Sequence, residues 1–175
     1  TMRDYRLGMQ SAQHAVSRIQ VPADKNEVLN RLAIEGAYIK NLIALNQRDI
    51  ARERLTLISR MAEPFATPRL DINVELSRSL VEIAEGDAEV GVSRLLALLP
   101  KSKQHPFLYA DNLEALVRAY EQTGNPEAMA VYSSQLVEHV LKGHSLAIEK
   151  QLALIDEKLS TLQPGKEEAF TLIRA

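Results

Sequence analysis

GNPEAMAVYSSQL, residues 124–136, is the stretch that decides how this chain is read. Gly124 stops a helix. Asn125 and Pro126 supply a cap and a first helical position where a missing amide hydrogen does no harm, and Ala128, Tyr132 and Leu136 then recur at intervals of four. Two other stretches line up with it: ALNQRDIARERLTLI (44–58) and AEGDAEVGVSRLLAL (84–98). Their turn residues Asn46, Gly86 and Gly124 lie 40 and 38 positions apart. A small residue follows each turn (Ala51, Gly91, Ala128), and a larger apolar one comes four later (Leu55, Leu95, Tyr132). Antiparallel helices joined by a tight turn nest only where one presents a small side chain to the other, and the larger residue fills the space beside it. Three such sets at nearly one period predict a solenoid of helical hairpins.

The rest of the sequence agrees with an all-α reading. Aromatics make up 5% of the 175 residues and Trp is absent, while Ala, Leu, Ile, Glu, Arg and Gln dominate. Apolar positions recur at three and four, as in Leu113, Leu116, Val117 and Tyr120, and no strand pattern emerges. Stop signals near Val21-Pro22, Asn46, Pro64 to Pro68, Gly86, Pro100 to Pro106, Gly124, Gly143 and Pro164-Gly165 predict about nine helical segments. Asp24 with Glu27 reads as a capping box, and Asp87 and Asn125 as further caps. The expected organisation is an N-terminal helix and loop over 1–25, acting as a linker or an extra packing helix. Three helix pairs and a capping helix follow over 26–163, and a short helix or tail over 164–175.

The hairpin AYEQTGNPEAMAVYSSQL resembles a tetratricopeptide repeat, through Ala119, Tyr120, Gly124, Ala128 and Tyr132. The other two hairpins depart from that pattern: Asn46 replaces the turn glycine, Gly91 the small alanine, and the first helix of the middle pair (Leu76, Leu80, Ile83) runs one residue out of phase. The spacing of 38 to 40, longer than the family's usual one, is similar to degenerate tetratricopeptide-like superhelices beside effector domains in large bacterial regulators. The resemblance implies a right-handed α-α superhelix. It also implies a protein–protein interaction scaffold, the partner-docking region of a larger bacterial signalling or transcription-regulating protein. A chaperone or assembly adaptor that holds a client peptide or helix is the alternative, and a helical enzyme domain the remote one.

In such arrays the first helix of each pair lines the concave groove, which implies that Lys40, Ile43, Arg78, Val81, Glu114 and Arg118, together with Gly36, face it. Lys40, Arg78 and Arg118 would then form a row for an acidic peptide or a chain-end carboxylate. The asparagine-and-lysine clamp of chaperone-binding relatives has no counterpart here. The packing signature comprises Asn46, Ala51, Leu55, Gly86, Gly91 and Leu95, and, in the last hairpin, Tyr120, Gly124, Ala128 and Tyr132.

Other chemistries find little support. No cysteine is present, which excludes disulfides, thiol catalysis and cysteine-bound metal. His139 and His144 stand five apart rather than four, and His14 and His105 have no nearby carboxylate or nucleophile arrangement. There is no GxSxG and no glycine-rich phosphate loop after a strand. The pairs Glu82/Glu85 and Glu167/Glu168 read as solvated. No enzyme activity, metal or cofactor is expected. The net charge of −2 gives no reason to expect nucleic acid or an anionic membrane, and the cluster Arg48, Arg52, Arg54 and Arg60, interrupted by Asp49 and Glu53, reads as a salt-bridged outer face. With no long apolar run and no leader-like core, a soluble, cytoplasmic location is expected; the opening Thr reads as the start of a fragment. The expected partner is a protein or peptide, including adjoining domains of the same chain or, through the FTLIRA end, a second copy.

Overall fold

Three turns of one geometry punctuate the chain. Asn46, Gly86 and Gly124 have φ of 58°, 108° and 68°. This left-handed conformation is open to glycine and tolerated by asparagine, and it ends a helix by turning the chain out of the helical path. At each turn the following amide reaches back five residues: Gln47 N to Leu42 O at 2.8 Å, Asp87 N to Glu82 O at 3.0 Å, and Asn125 N to Tyr120 O at 2.9 Å. A new helix starts at once.

In this computed structural model the described residues are 5, 7–8, 10–14, 24–65 and 67–161, with side chains described as far as 154. The chain is all-helical, with no strand among the described residues. The helices are α1 (Lys25–Ala44), α2 (Arg48–Ala62), α3 (Pro68–Glu85), α4 (Ala88–Ser102), α5 (Pro106–Gln122) and α6 (Pro126–Thr161), with a 3-10 turn at Glu63–Phe65. Residues 5, 7–8 and 10–14 are helical as well. The predicted breaks at Val21-Pro22 and Pro164-Gly165, and the 164–175 tail, lie outside the described residues. Thr1–Leu136 and Val137–Ala175 are separate compact units.

Helix starts follow local chemistry. Asp24 Oδ1 accepts from the amides of Asn26 at 2.7 Å and Glu27 at 3.0 Å. Thr67 caps α3 ahead of Pro68, and Asn125 Oδ1 accepts from the Ala128 amide at 3.1 Å ahead of Pro126. Asp87 departs from its expected role: it occupies the cap position of α4, but its side chain makes no cap hydrogen bond. Gly143 does not break the chain; α6 runs through it, so no separate segment begins at Ser145. A lone glycine costs a helix interior only about 1 kcal/mol relative to alanine, too little to end it without a turn geometry such as that at Gly124.

Packing within the first unit is sequential. Helix α1 touches α2 and α3, α2 touches α3, α3 touches α4 and α5, and α4 touches α5. Helix α3 therefore serves two cores. Leu70, Val74 and Val81 join the first, with Leu32, Ile39 and Leu42 of α1 and Ala51 and Ile58 of α2. Ile72, Leu76 and Ile83 join the second, with Leu95 and Leu98 of α4 and Leu108 and Leu116 of α5.

Two of the three small residues, Ala51 and Gly91, are buried between helices. Ala51 is fully buried, and a Cβ added at Gly91 would stand 2.5 Å from Ile83 Cγ1 and 2.8 Å from the Ser79 carbonyl oxygen. Ala128 is half-buried. Leu95 is fully buried in the second core, while Leu55 packs on the edge of the first. In the last hairpin Tyr132 stacks on Tyr120 with ring centres 5.6 Å apart and planes 4° from parallel. Polar ties add to the nesting. The Arg94 guanidinium of α4 donates to both oxygens of Glu82, at 3.1 and 2.9 Å, and to Glu75, all on α3. Buried Asn112 of α5 donates to the Leu95 carbonyl at 3.1 Å.

Candidate functional site

The facing surfaces of α1, α3 and α5 leave two cavities. The larger, about 600 Å³, takes Lys40, Ile43 and Ala44 from α1, Leu80, Ile83 and Ala84 from α3, and Glu114, Ala115 and Arg118 from α5. The smaller, about 270 Å³, takes Leu29, Ala33 and Ala37 from α1, Asn73, Leu76 and Ser77 from α3, and Phe107, Leu108 and Asp111 from α5. Lys40 and Leu80 line both. The two cavities therefore form one groove. Each helix gives its N-terminal part to the smaller cavity and its C-terminal part to the larger, so all three run in the same direction. From Leu29 to Ala44 the groove follows α1 for roughly 22 Å, at about 1.5 Å per residue.

Helical periodicity produces this lining. On α3 the residues Asn73, Leu76, Ser77, Leu80, Ile83 and Ala84 recur at three and four, and so share a face. Gly36 of α1 also lines the smaller cavity; a Cβ there would come within 3.7 Å of Ser77 Oγ, so α1 and α3 run close at this point. The floor is largely aliphatic. Phe107 stands at the rim 85% exposed, on the first turn of α5. A large ring so exposed beside an apolar hollow is a ready contact for a partner.

Four charges of the groove, on Lys40, Asp111, Glu114 and Arg118, satisfy one another. Lys40 Nζ lies 2.5 Å from Asp111 Oδ1 and 3.5 Å from Glu114 Oε2, and Arg118 donates to Glu114 Oε1 at 2.6 Å. Burial opposes ionisation of Glu114, but the charges of Lys40 and Arg118 and their hydrogen bonds outweigh it and hold the carboxyl below its ordinary value. Arg118 is also in reach of the N-terminal segment, where the Tyr5 hydroxyl is 3.4 Å from Nη1. Tyr5 lines the larger cavity. A Cβ at Gly8 would be 3.0 Å from the Asn41 side chain, so this segment passes close to α1 beside the groove.

Of the residues expected to face a groove, the structure brings Lys40, Ile43, Glu114 and Arg118 into the larger cavity. It does not bring Val81 or Arg78 there. Val81 is 3% exposed in the first core, and Arg78 pairs with Glu75 at 3.1 Å. The three-cation row therefore does not form: Arg78 lies outside the groove lining, and Glu114 sits between Lys40 and Arg118. The cause is the double duty of α3. A helix buried against two cores carries two apolar stripes, and its exposed face cannot be placed from a single stripe. The missed lining residues Leu80 and Ala84 follow from counting by four from Leu76.

Other expectations fall elsewhere. Arg52 pairs with Asp49 at 3.6 Å and Glu85 at 2.7 Å, as an outer face would. Arg54 turns inward: it lies 3.6 Å from Glu35 and 5.1 Å over the Tyr38 ring. Glu35 is fully buried, accepts from Arg31 Nε at 3.1 Å, and has no hydrogen-bond partner for Oε2. This buried ionic cluster gave no local sign in the sequence, because Arg54 stands among arginines that face water. His105 precedes α5 without a side-chain cap bond, and His139 and His144, five apart on α6, point about 140° from each other. Among the described residues no helix is long and apolar enough to cross a membrane, and no three His, Asp or Glu groups converge as a metal site.

No family model, no curated protein and no solved structure matches this chain. The functional reading therefore rests on the groove.

Proposed function

We propose that this chain is a non-catalytic protein-interaction module, a tetratricopeptide-like array of helical pairs whose α1–α3–α5 groove receives one helical or extended segment of a protein partner. The observation that carries this reading is the union of the two cavities at Lys40 and Leu80 on three helices of common direction. Stacked hairpins place their first helices side by side in this way. The three turns at Asn46, Gly86 and Gly124 support the same arrangement by repeating one hydrogen-bond pattern.

The ligand's chemistry follows from the lining. Since Lys40 and Arg118 are already neutralised by Asp111 and Glu114, recognition falls to apolar anchors rather than to an acidic motif. The anchors must reach the hollow beside Ala37 and the one beside Ala84. Ala37 and Ala44 on α1 are seven positions apart, so the hollows are separated by about two helical turns, roughly 10 Å. A partner helix with large apolar residues two turns apart meets that requirement. The longer-than-usual repeat period carries the further part of the proposal, that the module docks partners for a larger bacterial signalling or transcription-regulating protein.

The test is selection of helical peptides from a displayed library against the chain, followed by binding to Ala37→Trp and Ala84→Trp variants that fill one hollow each. Binders should weaken by 10-fold or more on either variant, while circular dichroism stays unchanged. Selected peptides that ignore both substitutions would remove the groove from consideration.

A further inference from the structure

The larger hollow of the groove already has an occupant from the chain itself. Tyr5, Gly8 and Ala12 stand three and four positions apart and so share one face of the helical N-terminal segment. Each is half-buried, whereas Leu7, Gln10, Ser11, Gln13 and His14 are exposed. The inward face touches both walls of the hollow. Ala12 packs on the first core, and Gly8 brings the segment against Asn41 of α1. Arg118 Nη1 of α5 donates to the Tyr5 hydroxyl at 3.4 Å, and Tyr5 lines the hollow. All of these residues lie in the first compact unit.

The hold on the segment is uneven along its length. Ala12 is set against the core, but Tyr5 ends on one hydrogen bond at the outer limit of length, to a guanidinium whose shorter bond, at 2.6 Å, goes to Glu114. Releasing Tyr5 leaves the Arg118–Glu114 pair intact, so no charge is stranded when it leaves. A group that is seated in a binding hollow yet easily displaced acts as an internal competitor: the apparent affinity of a ligand falls by the fraction of molecules in which the hollow is open. We propose that the N-terminal segment is an autoinhibitory strap, whose Tyr5 holds the Ala84 end of the groove until the partner's own apolar anchor displaces it. This inference rests on the groove being the docking site. Among the described residues no part of the segment lines the smaller hollow beside Ala37, so the strap opposes one anchor and leaves the other free for first contact.

The chain has no cysteine, so one introduced pair tests the strap directly. Gly8→Cys with Asn41→Cys removes the side chain that crowds position 8, and a Cβ at Gly8 only 3.3 Å from Asn41 Cγ puts the two Cβ atoms within reach of a disulfide. Oxidation of the whole chain should close it. A helical peptide selected for dependence on Ala84 should then bind at least about 10-fold more weakly than after reduction with dithiothreitol. Tyr5→Ala should bind the same peptide about 3- to 10-fold more tightly than wild type, with Tyr5→Phe between them. Circular dichroism of each form verifies that the first unit is folded. Failure of the pair to close overturns the seating of the segment. Equal affinity in the two redox states, or weaker binding by Tyr5→Ala, overturns the strap while the groove stands, since dependence on Ala84 is scored separately. A library that gives no Ala84-dependent peptide even on Tyr5→Ala removes the groove, and the strap with it.

Discussion

Replacing Gly91 by alanine should destabilise this protein, although alanine is the better helix former. Left to propensity, the exchange inside α4 would gain about 1 kcal/mol. The structure opposes it. The new Cβ would meet Ile83 Cγ1 at 2.5 Å and the Ser79 carbonyl oxygen at 2.8 Å. Ile83 has side-chain torsions that can yield, but Ser79 O belongs to the backbone of α3, so α4 must withdraw by about half an ångström to restore contact distance. Overpacking of this kind costs about 1–3 kcal/mol. Because Arg94, Leu95 and Leu98 are tied to the same interface, the cost falls toward the upper end, and the net is a loss of about 1–2 kcal/mol. In a chain of this length that lowers Tm by roughly 2–8 °C. Urea unfolding followed at 222 nm measures it. Gly143→Ala serves as the contrast: nothing lies within 4 Å of its Cβ position, so helicity should rise and no stability should be lost. If Gly91→Ala stabilises as propensity alone would have it, the close nesting of α3 and α4 is wrong.

Glu35→Ala should be among the costliest single changes, about 3–5 kcal/mol, because it removes the carboxylate that Arg31 and Arg54 share inside the first core; a urea midpoint within a few tenths molar of wild type would refute that role. Glu114 should contribute to acid sensitivity. Its folded pKa lies below the unfolded value, so its stabilisation is complete above the ordinary glutamate range and is lost as pH falls through the depressed value. Glu114→Gln should therefore lower stability at pH 7 and flatten the acid limb of stability against pH, the two proteins converging in strong acid. Parallel acid limbs would show that Lys40 and Arg118 do not hold this carboxylate.

How much of this was legible in the sequence varies by element. The turns at Asn46, Gly86 and Gly124 could be read because a left-handed turn is set by residues within five positions of itself. The caps at Asp24 and Asn125 could be read for the same reason. Gly143 was misread because glycine chemistry resembles a stop wherever it occurs, and only the absence of a positive φ separates an interior glycine from a terminal one. The groove face of α3 was misplaced because Leu70, Val74 and Val81 serve one core while Ile72, Leu76 and Ile83 serve another.

The helical class and most of the helix ends are written along the chain, because both depend on short-range sterics and hydrogen bonding. Tertiary structure alone decided which charges are spent. Lys40 meets Asp111 across 71 positions and Glu114 across 74, and these pairings, together with the local Glu114–Arg118 bridge, turn an expected row of cations into a neutral, mainly aliphatic groove. A charge is neutralised by whatever stands within a few ångströms, and that neighbour is set by how the helices stack rather than by their order along the chain.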